Sequence, residues 1–203
     1  MQAATESPDL NPNEVAVLAG VSPRAVRKAM GDKILIGGAS RPLAFRRAMR
    51  NALGPSAVTY MTIMSAIDWP IPTEGRLRIA RFLREASPGD LKGHMKMTGP
   101  LTLDIGGFAA KIKRVAKRTG DYRRARDTWI HSDSTVMGGT PVIRGTRMTV
   151  YAVLGRVEAG DSLDSIADED PDVPRAALDV AVIFAKANPM RGRPSGRPWA
   201  KTA

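Results

Sequence analysis

Residues 11–30, NPNEVAVLAGVSPRAVRKAM, decide how the chain is read. Asn11 is a good N-cap residue and Pro12 suits the first helical position, so a short helix is predicted from Asn11 to Ala19. Gly20 breaks it. Ser22 then caps a second helix with Pro23 at its first position, and the run lasts to Met30. Val15, Leu18, Ala19, Val21, Val26 and Met30 are placed to form one apolar cluster between the two helices. A small-residue turn, Ala19-Gly20, lets two helices cross closely. The second helix would then project Arg24, Arg27 and Lys28 outward, within about one turn of its N-terminus. In a helix-turn-helix that end enters the major groove, where Arg bridges the two acceptors of guanine and Lys suits phosphate. Ser22, Arg24, Arg27 and Lys28 are therefore the candidate DNA-binding residues. A helix pair with solvated basic residues is the plainer alternative.

The run from Glu14 to Arg27, EVAVLAGVSPRAVR, resembles the N-terminal helix-turn-helix of MerR-like regulators, in which the phrase EVAxLxGVSPRxVR recurs. The resemblance covers about 20 residues and implies operator binding.

Beyond this pair, Ile34 to Ile36 is β-branched and is expected as a short strand or wing. Leu43 to Leu53 looks helical, completing a first region over residues 11–53. The middle region, 54–127, is basic and mostly helical. Ala57 to Ile67 is apolar and long enough for a helix. Trp69-Pro-Ile-Pro72 interrupts it. Thr73 to Ala86 is predicted helical with Leu77, Ala80, Phe82 and Leu83 on one face. Leu101 to Ile105 alternates like a strand. Phe108 to Arg118 is a basic amphipathic helix, with Phe108, Ile112, Val115 and Ala116 on one side and Lys111, Lys113, Arg114, Lys117 and Arg118 elsewhere.

Residues 128–188 are the most legible. Two short apolar stretches flank Arg144-Gly145 within VMGGTPVIRGTRMTV, residues 136–150. Gly139 and Gly145 permit positive φ, so the chain can turn twice around Pro141-Val142-Ile143. Thr149 caps a helix to Ala159 that Gly160 closes, Ser162 starts another to about Asp168, and Pro174 opens the last, to about Ala187. Arg144 and Arg147 are expected to staple to the acidic helices at Asp164 and Asp168. GGTPVIRGTR does not fit a phosphate-binding Walker loop, since no Gly-Lys-Ser/Thr follows.

Gly139 to Val150, GTPVIRGTRMTV, resembles the signature of a small bacterial domain family catalogued as a domain of unknown function, number four hundred and thirty-three. Gly160, Ser162, Ile166, Asp170-Pro171, Ala177 and Ala181 stand where that family has its downstream features. Pro174 departs from it, standing where Thr or Ser usually caps the last helix. The resemblance covers about residues 130–188. It implies a VapB-type antitoxin paired with a toxin of the PIN-domain ribonuclease class, and a helical domain for dimerisation or partner docking.

The tail, residues 189–203, is rich in Arg, Gly and Pro and is expected to be disordered alone. Arg191, Arg193, Arg197 and Trp199 admit two active readings. Gly-Arg-Pro is the core of an AT-hook, in which Arg-Gly-Arg lies in a narrow minor groove. Alternatively, Arg side chains enter the anionic, carboxylate-lined site of a nuclease while Trp199 anchors beside it.

Composition limits the rest. The chain has 203 residues, 31 Lys and Arg against 20 Asp and Glu, a net charge of +11 and no cysteine. Disulfides, thiolate metal sites and Cys nucleophiles are thereby excluded, and a reducing cytoplasm fits. With two histidines, His94 and His131, no histidine-rich metal site is available. No run approaches the roughly 18 apolar residues of a membrane span. The surplus charge is uneven: residues 128–188 carry net −4, whereas residues 54–127 carry +7. A basic chain attracts polyanions through its long-range field. His131 beside Ser132, Asp133 and Ser134 offers a catalytic arrangement only on paper, and no enzyme, metal or cofactor is expected.

The combined expectation is a mainly α protein: an N-terminal helix-turn-helix, a basic partly helical middle region, a small C-terminal helical domain resembling a helix-turn-helix, and a disordered basic tail. As a function it is an antitoxin that neutralises a PIN-type ribonuclease toxin and autorepresses its operon on operator DNA, as a cytoplasmic homodimer. A stand-alone MerR-like regulator with an AT-hook-like tail is the alternative.

Overall fold

The structure is a computed structural model that describes residues 9–36, 52–86, 90–97 and 99–190. Among these the protein is mainly helical. It opens with α1 (Pro12–Ala19) and α2 (Pro23–Gly31), followed by α3 (Pro55–Met64) and α4 (Thr73–Glu85). A hairpin of β1 (His94–Lys96) and β2 (Thr102–Asp104) leads into the long α5 (Ile105–Trp129). The C-terminal third holds a second two-stranded ladder, β3 (Ile130–His131) and β4 (Val142–Ile143), then α6 (Val150–Ala159), α7 (Leu163–Glu169) and α8 (Arg175–Ala187). Both ladders are antiparallel: Met95 faces Leu103 in the first and Ile130 faces Ile143 in the second.

α1 begins with a full capping box. The Asn11 side chain accepts from the Glu14 backbone at 2.8 Å, and the Asn11 backbone donates to the Glu14 carboxylate at 2.7 Å. Two of the helix's orphan donors are satisfied this way. α3 buries every residue from Ala57 to Ile63, which is why its sequence is mostly apolar, and the buried Thr62 hydroxyl donates to the Val58 carbonyl one turn back. α8 buries Ala177, Leu178, Val180, Ala181 and Phe184 and lies against α1, α5, α6 and α7. The hydrophobic core therefore runs without a break from the N-terminal helix pair to α8.

Several expectations need correcting. Ile34 to Ile36 forms no strand: Lys33 turns the chain with φ 56°, and Ile34 and Leu35 drop into the core. Residues 43–51 of the expected helix lie outside the described residues, and its end is extended, since Leu53 exchanges backbone hydrogen bonds with Leu10. On α4 the buried face is Gly75, Ile79 and Ala80, while Leu77 is 39% exposed. Gly75 fits closely there: a Cβ would stand 3.0 Å from Ile71 Cγ2 and Met97 Cε, so those side chains would have to shift. The helix expected over 108–118 runs from 105 to 129. Its second half escapes a hydrophobic reading because Thr119, Tyr122 and Arg126 occupy the buried side.

Candidate nucleic-acid interface

The turn between α1 and α2 is built on Gly20, which sits at φ 69° and ψ 33° and closes α1 with its N–H on Ala16 and Val17 carbonyls. This left-handed conformation is cheap only for glycine. Ser22 Oγ then accepts from the Ala25 N–H at 3.2 Å and starts α2. That bond leaves the hydroxyl proton of Ser22 unused. Val26 and Ala29 face inward, and Ser22, Arg24, Arg27 and Lys28 are all exposed. The four residues are on the solvent side of α2, with Ser22 and Arg24 at its N-terminal end and Lys28 in its last turn, farther from the N-terminus than the sequence implied. Arg27 Nη2 donates to Asn13 Oδ1 at 3.0 Å, which holds the guanidinium beside the start of α1.

Behind this surface lies a polar network that periodicity could not reveal. Glu14 and Arg126 are both fully buried. The Tyr122 hydroxyl donates to Glu14 Oε1 at 2.7 Å, and Arg126 Nη1 donates to the same oxygen at 3.4 Å. Arg126 also donates to Asp9 Oδ2 at 3.0 Å and to Asp127 Oδ1 at 2.9 Å. Burial alone would push the Arg126 guanidinium down, but Glu14 above all, with Asp127 and Tyr122, outweighs it and holds the group above its ordinary value. A buried ion pair survives only when its hydrogen bonds are this complete. The network locks α1 onto α5, so the helix that carries α2 does not stand as a loose appendage. The one sequence signal for it was the capping-box Glu14, whose spacing accounts for only one of its two oxygens.

The C-terminal end is joined to the same place. Asn11 donates to the Asn188 side chain at 2.8 Å, and the Tyr151 hydroxyl donates to the Asn188 carbonyl at 2.8 Å. A cleft of about 540 Å³ opens here between Asn13, Gly139, Pro141, Tyr151 and Asn188. Exposed Met190 lies at its edge.

Around the glycine-rich turn, Gly138, Gly139 and Gly145 all have positive φ, as the two turns require. The expected staple from Arg144 and Arg147 is not made. Arg144 Nε donates to the Thr128 carbonyl at 2.7 Å, Arg147 is exposed, and Asp164 is taken by Arg175 at 2.6 Å. The acidic helices are instead clamped by Arg156, which reaches Asp161 at 2.6 Å and Glu169 at 2.7 Å across the Gly160 turn. Arg156 precedes Gly160 by four residues on α6 itself, so it reaches over its own C-terminus, whereas Arg144 closes the β4 turn.

His131, Ser132 and Asp133 do not converge as a nucleophile and base. Ser132 Oγ donates to the Gly139 carbonyl. Asp133 Oδ1 accepts from both the backbone and the hydroxyl of Thr135, which holds its carboxyl below the usual aspartate value, and its other oxygen is 3.9 Å from His131. Among the described residues no group of three His, Asp or Glu stands in position to hold a metal, and no helix is long and apolar enough to cross a membrane. Arg191, Arg193, Arg197 and Trp199 lie outside the described residues.

Residues 130–185 carry the domain described as Protein of unknown function (DUF433). The span matches β3 through nearly all of α8, so the turn glycines, the Arg156 clamp and part of the cleft wall belong to it. The chain is also similar to an uncharacterized protein of Sinorhizobium fredii (strain NBRC 101917 / NGR234), y4eO, with 36% identity over 126 residues. That alignment covers 59% of this chain and 52% of the relative, so the chain spans about half the length of the curated protein it matches. No solved structure matches.

Proposed function

We propose that the chain is a DNA-binding antitoxin of the VapB type, which binds operator DNA through a MerR-like helix pair and neutralises a PIN-type ribonuclease. The observation that carries the DNA half is the surface of α2. Ser22, Arg24, Arg27 and Lys28 are exposed together on a helix whose partner is anchored through a buried Glu14–Arg126 pair. Rigid presentation of side chains at a helix N-terminus is what base readout needs.

The toxin half rests on the resemblance of residues 130–188 to a family that includes VapB-type antitoxins. The domain's net charge of −4 over residues 128–188 disfavours it as the DNA surface and favours dimerisation or partner docking. The cleft lined by Tyr151, Phe184 and exposed Met190 is a suitable seat, since a flexible, polarizable methionine adapts to a partner's apolar side chains. Arg191, Arg193, Arg197 and Trp199 follow Met190 in sequence, and this reading assigns them to the carboxylate-lined site of the nuclease.

The test is co-expression with the product of the adjoining reading frame. The two proteins should co-purify, and deleting residues 190–203 should abolish inhibition of ribonuclease activity while duplex binding persists. A truncated chain that still inhibits fully overturns the role of the tail. Operator binding with no nuclease partner supports instead a stand-alone regulator whose tail acts as an AT-hook.

A further inference from the structure

The exposed side of α5 is a second cationic surface, borne on an element other than α2. Lys111, Lys113, Arg114, Lys117 and Arg118 are all exposed. At about 100° per residue they span an arc of roughly 160° on one side of the helix, opposite Ile105, Ile112 and Thr119. No acidic residue falls between Asp104 and Asp121. Of the five cations, Lys117 alone has an ion-pair partner among the described residues, Asp121 at 2.8 Å, and its side chain remains 79% exposed.

Several arginines elsewhere are neutralised, although Arg24 and Arg27 on α2 and Arg147 stay exposed like the α5 cations. Arg76 meets Asp32, Arg78 meets Glu74, Arg123 meets Asp9, and Arg156 and Arg175 each hold two carboxylates. Leaving five positive groups side by side costs self-repulsion, which a polyanion removes. The density suits a closely charged polyanion. Lys111 to Arg118 spans about 10.5 Å of helix axis at 1.5 Å per residue, or one charge per roughly 2.6 Å. Duplex DNA carries one phosphate charge per roughly 1.7 Å of its axis. The helix is also fixed at both ends, with Asp104 capping its start and the buried Arg126 network tying down its last turn.

We infer that this face of α5 binds the phosphate backbone of duplex DNA without reading sequence, while α2 supplies the sequence preference. The inference rests on the DNA reading of α2 for its choice of polyanion. Phosphate contacts position a protein and set its salt dependence, whereas base contacts specify the site.

The test uses the full-length chain and two labelled 25-base-pair duplexes, one from the chain's own promoter and one scrambled, from 50 to 200 mM KCl. Changing Lys113, Arg114, Lys117 and Arg118 to Gln should weaken both duplexes at least tenfold and to the same extent. It should also flatten the plot of log affinity against log salt by about two to four, at roughly 0.9 for each phosphate no longer neutralised. The charge-preserving Lys113→Arg/Lys117→Arg variant should bind as the parent does. Arg24→Ala/Arg27→Ala should lose the promoter preference and keep most of the slope. Unchanged affinity and slope in the α5 variant overturn the inference, as does tighter binding to single-stranded RNA or anionic vesicles than to either duplex. Strong binding that ignores sequence in the parent and is lost in the α5 variant sinks the α2 reading and leaves this one standing. No duplex binding by the parent sinks both.

Discussion

At the residue scale, the protein turns on how two charges are buried. Glu14 and Arg126 are 112 positions apart and fully enclosed, and each is satisfied by several partners. Arg126→Met leaves the Glu14 carboxylate buried without its cation. Removing one member of such a pair typically costs about 3–5 kcal/mol. We expect a loss of that size in urea unfolding, while Lys117→Gln, on an exposed pair, should change stability by less than about 1 kcal/mol. Equal effects from the two would show that the buried network does not hold α1. Nothing in the local sequence marks Arg126 as a core residue. In a window of basic residues it looks like one more solvated cation, and only the arrival of Glu14, Asp9 and Tyr122 makes its burial tolerable.

At the scale of elements, the helix caps were the most legible feature. Asn11, Ser22, Thr149 and Ser162 each accept from the backbone three residues on, as their positions before apolar runs imply. Gly20 and Gly160 close α1 and α6 in the left-handed region. A cap works through bonds within a few residues, so its signal is local. Gly20→Ala has open space around the new Cβ but must hold it at φ 69°. That conformation costs a residue with a Cβ about 1–2 kcal/mol. The expected outcome is a matching drop in unfolding free energy and a weaker promoter preference, because the angle at which α2 leaves α1 depends on this turn. If stability falls and preference stays, the turn does not aim α2. The length of α5 was less legible, because an amphipathic reading stops where the buried face becomes polar.

For the whole molecule, the central fact is that α8 packs against α1 and α5 as well as against its own neighbours α6 and α7. The DUF433 domain thus shares its core helix with the N-terminal helix pair, and Asn11 and Asn188 bond across the junction. Calorimetry of the full chain should show one cooperative transition. Residues 128–190 expressed alone should melt at lower temperature or self-associate, because the side of α8 that α1 and α5 cover becomes exposed. Two separate transitions in the full chain, or an isolated segment as stable as the parent, would show that the shared helix does not couple the ends.

Local chemistry in the sequence therefore determined the helix pair with its Gly20 turn, the exposed cations of α2, and the capped helices of residues 150–187. Each depends on bonds or spacings within a few residues, and those act before any distant contact forms. Only the tertiary structure decided that Glu14 would face Arg126 and that Arg156, not Arg144, would clamp the acidic helices. It also decided that α8 would join both ends and that α5 would run on to Trp129 with Tyr122 and Arg126 on its buried side. Those outcomes depend on which distant groups meet in a low-dielectric interior, where a charge is tolerated only if its partners arrive with it.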